Sequence, residues 1–265
     1  MAERDRSAAG RQQAPGHVTF AGAGPSDPDL LTLGVARALA QADVILHDRL
    51  VSAAVLALAG PQAVLVETGK EGFGPGMAQD DITALILGFA RAGRDVLRLK
   101  SGDAGIFGRL GEELDALEAA GTGFTVLPGI TAASAAAAAI GQSLTQRGRN
   151  ADLRIITGHD MAGFAEQDWR ALARPGAVAT IYMGKRAARF LQGRLLMHGA
   201  DPATGLSLVE NASRPDQRVI ATTLARLPAD SAALTGPAVI LLGLAPRAAA
   251  LPAALPHSAY QETAR

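Results

Sequence analysis

Between Leu97 and Glu113 the chain reads LRLKSGDAGIFGRLGEE, a stretch that gathers residue types able to handle a small charged ligand. Gly102, Gly105 and Gly108 stand close together around Asp103. Glycine accepts positive φ and has no side chain, so such a loop lets backbone come near a ligand. Arg109, Glu112 and Glu113 then open a helix. Acids in a first helical turn favour the macrodipole by ~0.3–1 kcal/mol, which accounts for the glutamates without any ligand. The same field is mildly unfavourable to Arg109, whose presence asks for a partner: an anionic ligand or those glutamates.

Other residues carry weaker signals. Asp48 and Arg49, in LHDRLV at 46–51, fall at the C-terminal edge of an expected strand, where open α/β sheets place their ligands. The plainer reading of Asp48 is a cap for the helix expected from Ser52. GAGPSD at 22–27 invites a dinucleotide reading, yet Asp27 stands where the third glycine belongs and Pro25 removes an amide a pyrophosphate would use. A strand-to-helix turn with an Asp cap explains it equally well. LPGITAAS at 127–134 places Thr131 and Ala132 at the start of an alanine-rich helix, where amides suit an adenosyl or carboxylate group or simply begin a tightly packed core helix. Lys70 in ETGKEG reads alone as a solvated loop lysine, and Met183 in IYMG as core filler. Arg147 and Arg149 are candidate carboxylate anchors. There is no cysteine, and the five histidines show no metal-ligand spacing, so no metal is expected.

The elements that must position these residues follow from the apolar pattern. Strands are expected near 18–22, 43–47, 63–67, 95–99 and 123–127, with helices near 30–41, 52–59, 79–92 and 109–120. That alternation predicts an α/β domain with a largely parallel sheet over 17–141. After a helix at 131–140 the polar stretch 142–152 reads as a linker. A second α/β domain follows over 153–246, with strands near 153–157, 177–182, 205–209, 217–222 and 237–243, the later ones spaced for an antiparallel pair. Residues 1–16 and 247–265 read as disordered or flexible tails. With 265 residues and 48% apolar content the chain is expected to be globular. Its 25 basic residues balance 25 acidic ones, which argues against a general nucleic-acid binder. No apolar run is long enough for a membrane span and no signal peptide is evident, so a cytoplasmic protein is expected.

Taken in order, GAGPSDPDLLTL, LHDRLV, SGDAGIFGRLGEE, LPGITAAS, LTQR, TGHD, IYMG and LVENAS resemble the motifs of the tetrapyrrole methylase family over roughly residues 17–246. Within it the wording is most similar to the branch that C-methylates uroporphyrinogen III, while SGDAGI is close to that of precorrin-3B methylases. The resemblance implies a two-domain α/β fold with mixed sheets, flanking helices and a cofactor cleft between the domains. It implies S-adenosyl-L-methionine as methyl donor, S-adenosyl-L-homocysteine as product, a tetrapyrrole substrate and a homodimer, with no nucleic acid, membrane or metal. The implied reaction is methylation of two pyrrole carbons, C2 and C7, through precorrin-1 to precorrin-2; the alternative is methylation of a later precorrin. By the same resemblance Asp48 is the proton acceptor and Lys70 the donor, with Arg109 acting near the proton. Pro25, Ser101, Gly102, Asp103, Ile106, Thr131, Ala132, Met183 and Ala212 would contact the cofactor. Arg49, Arg109, Glu112, Arg147 and Arg149 would contact substrate. The sequence departs from the family wording at His47, Ser101, Ala104, Gly105, Gln146 and Ala212.

Overall fold

A computed structural model describes residues 16–69 and 77–249. The chain divides into two compact units. One runs to Ala23 and resumes over Thr32–Gly129; the other comprises Gly24–Leu31 and the chain from Ile130 onward.

The first unit is built on strands β1 (Val18–Gly22), β2 (Val44–His47), β3 (Val64–Glu67), β4 (Val96–Lys100) and β5 (Phe124–Leu127). They lie in the order β3-β2-β4-β1-β5, and every pairing is parallel, as the alternating pattern predicts. Helices α1 (Leu33–Gln41), α2 (Ala53–Leu56), α3 (Gln79–Arg91) and α4 (Leu110–Ala119) connect them. The helix expected from residue 30 starts later because Thr32 Oγ1 accepts from the amide of Val35 and sets a new N-terminus. The preceding Pro28–Leu30 is a separate 3-10 turn capped by Asp27. On one sheet face Val18, Phe20, Val44, Leu46 and Val96 pack against Ile82, Ile86 and Ala90 of α3 and Leu117 of α4. Alternate residues of a strand share a face, so Arg98 and Lys100 follow Val96 on that same side. The core therefore turns from apolar to charged toward the C-terminal end of β4, while the whole strand stays buried.

The second unit carries β6 (Arg154–Thr157), β9 (Ala179–Tyr182), β10 (Gly205–Glu210), β11 (Arg218–Thr223) and β12 (Ala238–Leu242), in the order β11-β10-β12-β9-β6. Only β6 and β9 run parallel; the other pairings are antiparallel, which extends the expected pair into a mixed sheet. A small hairpin, β7 (His159–Asp160) and β8 (Gly163–Phe164), and helices α6 (Trp169–Leu172), α7 (Ala188–Met197) and α8 (Leu227–Ala232) are elements the sequence pattern does not announce. The helices join Leu206, Leu208, Ile240 and Leu242 in one core, with Trp169, Leu172, Leu191, Leu195 and Leu227. The strand residues of opposite parity, Val209, Val239 and Leu241, meet Ala136 and Ile140 at α5 (Ala132–Ala139). The sheet is thus covered on both faces.

That packing moves the boundary expected at Gly141. The alanines of α5 let it lie close on β12, so its contacts belong to the second unit and the division falls after Gly129. Residues 142–152, expected as a linker, form a closed loop within that unit: Asn150 Nδ2 donates to the carbonyls of Leu144 (3.0 Å) and Asp152 (2.7 Å). Among the described residues no helix is long and apolar enough to cross a membrane.

Candidate active site

In the first unit three glycines meet at the C-terminal edge of the sheet. A Cβ on Gly129 would come 2.3 Å from the Gly102 carbonyl oxygen and 2.6 Å from that of Gly22; one on Gly22 would lie 2.6 Å from the Gly102 oxygen. The loops after β1, β4 and β5 are therefore packed backbone to backbone, and Gly102 takes a φ of 66°. Asp103 ties two of them together: its Oδ1 accepts from Gly105 N and its Oδ2 from Gly129 N, each at 2.9 Å. Ile106, half-buried, closes the turn by donating its amide to the Asp103 carbonyl.

Beneath this edge lies a buried cluster of charges. Glu113 of α4 is fully buried; Oε1 accepts from Arg98 Nε (3.1 Å) and Gln79 Nε2 (3.0 Å), and Oε2 from Lys100 Nζ (2.7 Å). Arg98 continues to Asp48 through Nη2–Oδ1 at 2.6 Å. Asp48 is thus no helix cap; that part is taken by Ser52, whose Oγ accepts from Val55 N. Burial, with the Arg98 guanidinium beside it, pulls the Lys100 ammonium below the usual lysine range, although Glu113 opposes the shift. Removing ions from water costs several kcal/mol each, so this cluster adds far less to stability than the apolar side chains on the same face.

Arg109 caps α4 in the left-handed region, φ 55°, and its partner is Glu112: Nε to Oε1 is 2.8 Å. Both side chains are more than half exposed. That hydrogen bond raises the Arg109 pKa and lowers that of Glu112, so each holds the other charged.

In the second unit the segment after β1 is held by the loop after β10. Ser213 Oγ donates to the Pro25 carbonyl (3.0 Å) and Arg214 Nε to Ser26 Oγ (3.0 Å). Ser26, Met183, Asn211 and Ser213 all adopt positive φ, between 51° and 106°. Such conformations cost of order 1–3 kcal/mol each and gather at binding sites. Ala212 lies between two of them and packs on the α5 side of the sheet. Met183 is half exposed, not core filler, and its carbonyl meets His159 Nδ1 at 3.0 Å. Beside it Tyr182 reaches the start of α5, where its hydroxyl pairs with Thr131 Oγ1 and accepts from Ala133 N at 2.9 Å. Arg149 is spent inside its own loop on the Ser143 carbonyl (2.6 Å), Asn150 and Gln146. Arg147 is exposed.

The sequence profile of the family described as Tetrapyrrole (Corrin/Porphyrin) Methylases matches residues 17–228. The chain belongs to this family. A solved structure of uroporphyrin-III C-methyl transferase from Thermus thermophilus, complexed with S-adenyl homocysteine, is similar to this tetrapyrrole methylase with a TM-score of 0.75 and 37% identity. The likeness covers 86% of this chain and 97% of that one. Cobalt precorrin-4 methyltransferase gives a TM-score of 0.78 at 26% identity, covering 86% and 94%. Siroheme synthase 3 of Aeromonas hydrophila is 43% identical over 235 residues, 89% of this chain and 50% of that protein. The methylase spans about half the length of the curated relatives it matches.

Within the first unit of the methylase, Asp48, Ser101, Gly102 and Asp103 come together at one sheet edge; the Ser101 amide donates to Asp48 Oδ2 at 3.4 Å. Arg49 is exposed next to Asp48, its Cβ where a side chain on Gly69 would stand. In the second unit Tyr182, next to Met183, pairs with Thr131 and with the amide of Ala133, the residue after Ala132, and Pro25 joins the loop of Ala212 through Ser213. Lys70 lies outside the described residues. Sequence reasoning missed Arg98, Lys100 and Tyr182, and took Glu113 only as a favourable first-turn acid. The available signal was a pair of basic residues at alternate positions of an apolar strand, with a second acid beside Glu112.

Proposed function

We propose that this chain is an S-adenosylmethionine-dependent methyltransferase that converts uroporphyrinogen III, through precorrin-1, to precorrin-2 by methylating C2 and C7. The observation that carries the reading is the likeness to uroporphyrin-III C-methyl transferase, which spans nearly all of that chain at higher identity than the likeness to the cobalt precorrin-4 enzyme. The residues fit the donor. The first unit offers a cradle of glycine backbone that any Cβ would fill; the second offers an exposed Met183 and loops held at positive φ. In this reading the cofactor contacts are Ser101, Gly102, Asp103 and Ile106 in the first unit, and Pro25, Thr131, Ala132, Met183 and Ala212 in the second.

When bound, S-adenosylmethionine supplies a methyl group already activated on a sulfonium, which an electron-rich pyrrole carbon can attack directly. The protein's task is to orient the reactants, a contribution of ~7–11 kcal/mol, and to take away a proton, a further ~10²–10⁴-fold. Asp48 is the acceptor and Lys70 the donor. Arg109, held charged by Glu112, is no base; it serves as a cation for the substrate's carboxylates, with Arg49 and Arg147. Each charge-assisted contact of this kind is worth ~1.5–3 kcal/mol. Arg149 shapes the loop that carries Arg147. The protein is proposed to work as a cytoplasmic homodimer.

Anaerobic incubation with S-adenosylmethionine and uroporphyrinogen III, followed by mass spectrometry, tests this. Gain of two methyl groups is expected. A tetrapyrrole recovered without added methyl groups, from protein that binds S-adenosylhomocysteine, overturns the substrate and moves the acceptor to a later precorrin.

A further inference from the structure

Arg98 uses every nitrogen of its guanidinium. Nε goes to Glu113 Oε1 (3.1 Å), Nη1 to the carbonyls of Leu46 (3.3 Å) and Leu99 (3.4 Å), and Nη2 to Asp48 Oδ1 (2.6 Å). Its anchor is itself anchored, since Glu113 is held by Gln79 and Lys100 and is fully buried. The fork is 3% exposed, whereas the Asp48 side chain at its far end is 29% exposed. The two oxygens of Asp48 differ: Oδ1 holds the short charge-assisted bond, and among the described residues Oδ2 receives only the long 3.4 Å contact from the Ser101 amide. A chain of groups running from a buried carboxylate to a partly exposed one, rigid at the inner end and reactive only at the outer, is the arrangement that orients a base.

We propose that Arg98 is the positioning residue for Asp48, fixing Oδ1 so that Oδ2 is the atom that accepts the substrate proton. This rests on the reading of Asp48 as the proton acceptor. After methyl transfer the tetrapyrrole carries a positive charge; Oδ2 forms an O–H bond with the departing proton, the C–H bond breaks, and its electron pair returns to the ring and cancels the charge. Arg98 keeps its own protons throughout, because a guanidinium is not deprotonated in proteins. The proton therefore stops at Asp48 and leaves from there, and cannot pass inward to Glu113.

Kinetics of Asp48→Asn, Arg98→Lys and the double variant on uroporphyrinogen III test the assignment, after wild-type turnover is established. Asp48→Asn is expected to lower kcat by about 10²-fold or more. Arg98→Lys keeps the buried charge but loses the fork, and is expected to lower kcat by about 10²-fold with the S-adenosylmethionine KM unchanged, as a misplaced catalytic group does. If Arg98 acts through Asp48, the double variant is no slower than Asp48→Asn alone. Losses that multiply, or Arg98→Lys at wild-type kcat, overturn the positioning role while leaving Asp48 as acceptor. Asp48→Asn at wild-type kcat overturns the acceptor reading itself. Should Arg98→Lys fail to fold, Asp48→Glu serves in its place, with an acid still present but displaced by one methylene. Its kcat is expected to fall at least tenfold with cofactor affinity intact, and retention of wild-type kcat refutes the need for positioning.

Discussion

Replacing Glu113 by glutamine tests whether the buried charges are balanced as the structure describes. Glu113 accepts three bonds, from Lys100 at 2.7 Å, Gln79 at 3.0 Å and Arg98 at 3.1 Å, at a site with no solvent access. Glutamine keeps one oxygen but turns an NH₂ toward a cation and removes the negative charge. Hydrogen bonds to charged groups contribute ~1.5–3 kcal/mol each, and breaking a buried pair from one side costs about 3–5 kcal/mol. At about 4 °C per kcal/mol for a unit between the 100- and 150-residue classes, the transition of the first unit falls by about 12–20 °C. The chain's one tryptophan, Trp169, lies in the second unit, so its fluorescence follows that unit while far-UV circular dichroism follows both. An early transition is expected in dichroism, with fluorescence lagging behind.

The same variant has a pH signature. The Lys100 ammonium already has a pKa below the ordinary lysine value, mainly from burial and then from Arg98, and Glu113 is the main group resisting that shift. Between the lowered value and 10.5 the unfolded chain holds more protons than the folded one, so stability rises with pH in that window. Losing the Glu113 charge widens the window, and the deficit of Glu113→Gln should shrink as pH climbs toward the ordinary lysine range. Adding Lys100→Met should recover part of the loss by removing one of the two stranded cations. A Glu113→Gln protein that melts within 2 °C of the parent by dichroism, flat in pH, would show that the charges are not coupled as described.

Arg109→Ala is expected to leave the melting temperature and S-adenosylhomocysteine affinity nearly unchanged, because among the described residues its one hydrogen-bonding partner is the exposed Glu112, yet to abolish turnover; calorimetry alongside the methylation assay checks both, and a large loss of cofactor binding refutes the substrate role. Gly129→Ala would press a methyl 2.3 Å from the Gly102 oxygen and break the Asp103 tie, and should lower S-adenosylhomocysteine affinity at least tenfold by calorimetry. Burial pushes the Glu210 carboxyl up, but the amides of Gly236 and Thr235 and the Arg218 guanidinium outweigh it and hold it below the usual value. Its contribution is then fully present above the ordinary glutamate range and lost as pH falls through the lowered value, so urea unfolding followed by Trp169 should show an acid-side drop that Glu210→Gln lacks.

The first unit was largely legible because its signals are local. Apolar strands and amphipathic helices alternate with turns, and each strand from Val18 to Leu127 falls where the pattern puts it. Of the glycines read as allowing close backbone approach, Gly102 does so, but its partners Gly22 and Gly129 lie in distant loops and were not singled out, because only the fold brings them together. The division between the units was not, since it depends on which sheet the alanines of α5 choose, a matter of tertiary contact invisible in a run of identical residues. The short helices α6 and α8 and the hairpin of His159 and Phe164 lack the length that makes a period visible.

Arg98 and Lys100 escaped for a more instructive reason. In VLRLK the bases alternate with apolar residues, which is how a strand with one solvated face reads. β4 is instead the central strand, flanked by β2 and β1 and covered by α3, so the face that should be wet is buried. Two cations there are tolerable only if carboxylates come to them, and these come from elsewhere in the chain, Glu113 from the first turn of α4 and Asp48 from the end of β2. The local explanation of Glu113 as a first-turn acid is not false, since it does stand in that turn, but it is too small an effect to account for burying a charge. Where a local rule explains a residue's presence but not the cost of its burial, the remaining cost marks a constraint imposed by something other than the fold; here the cluster ends on Asp48, the one of its four charges that still meets solvent.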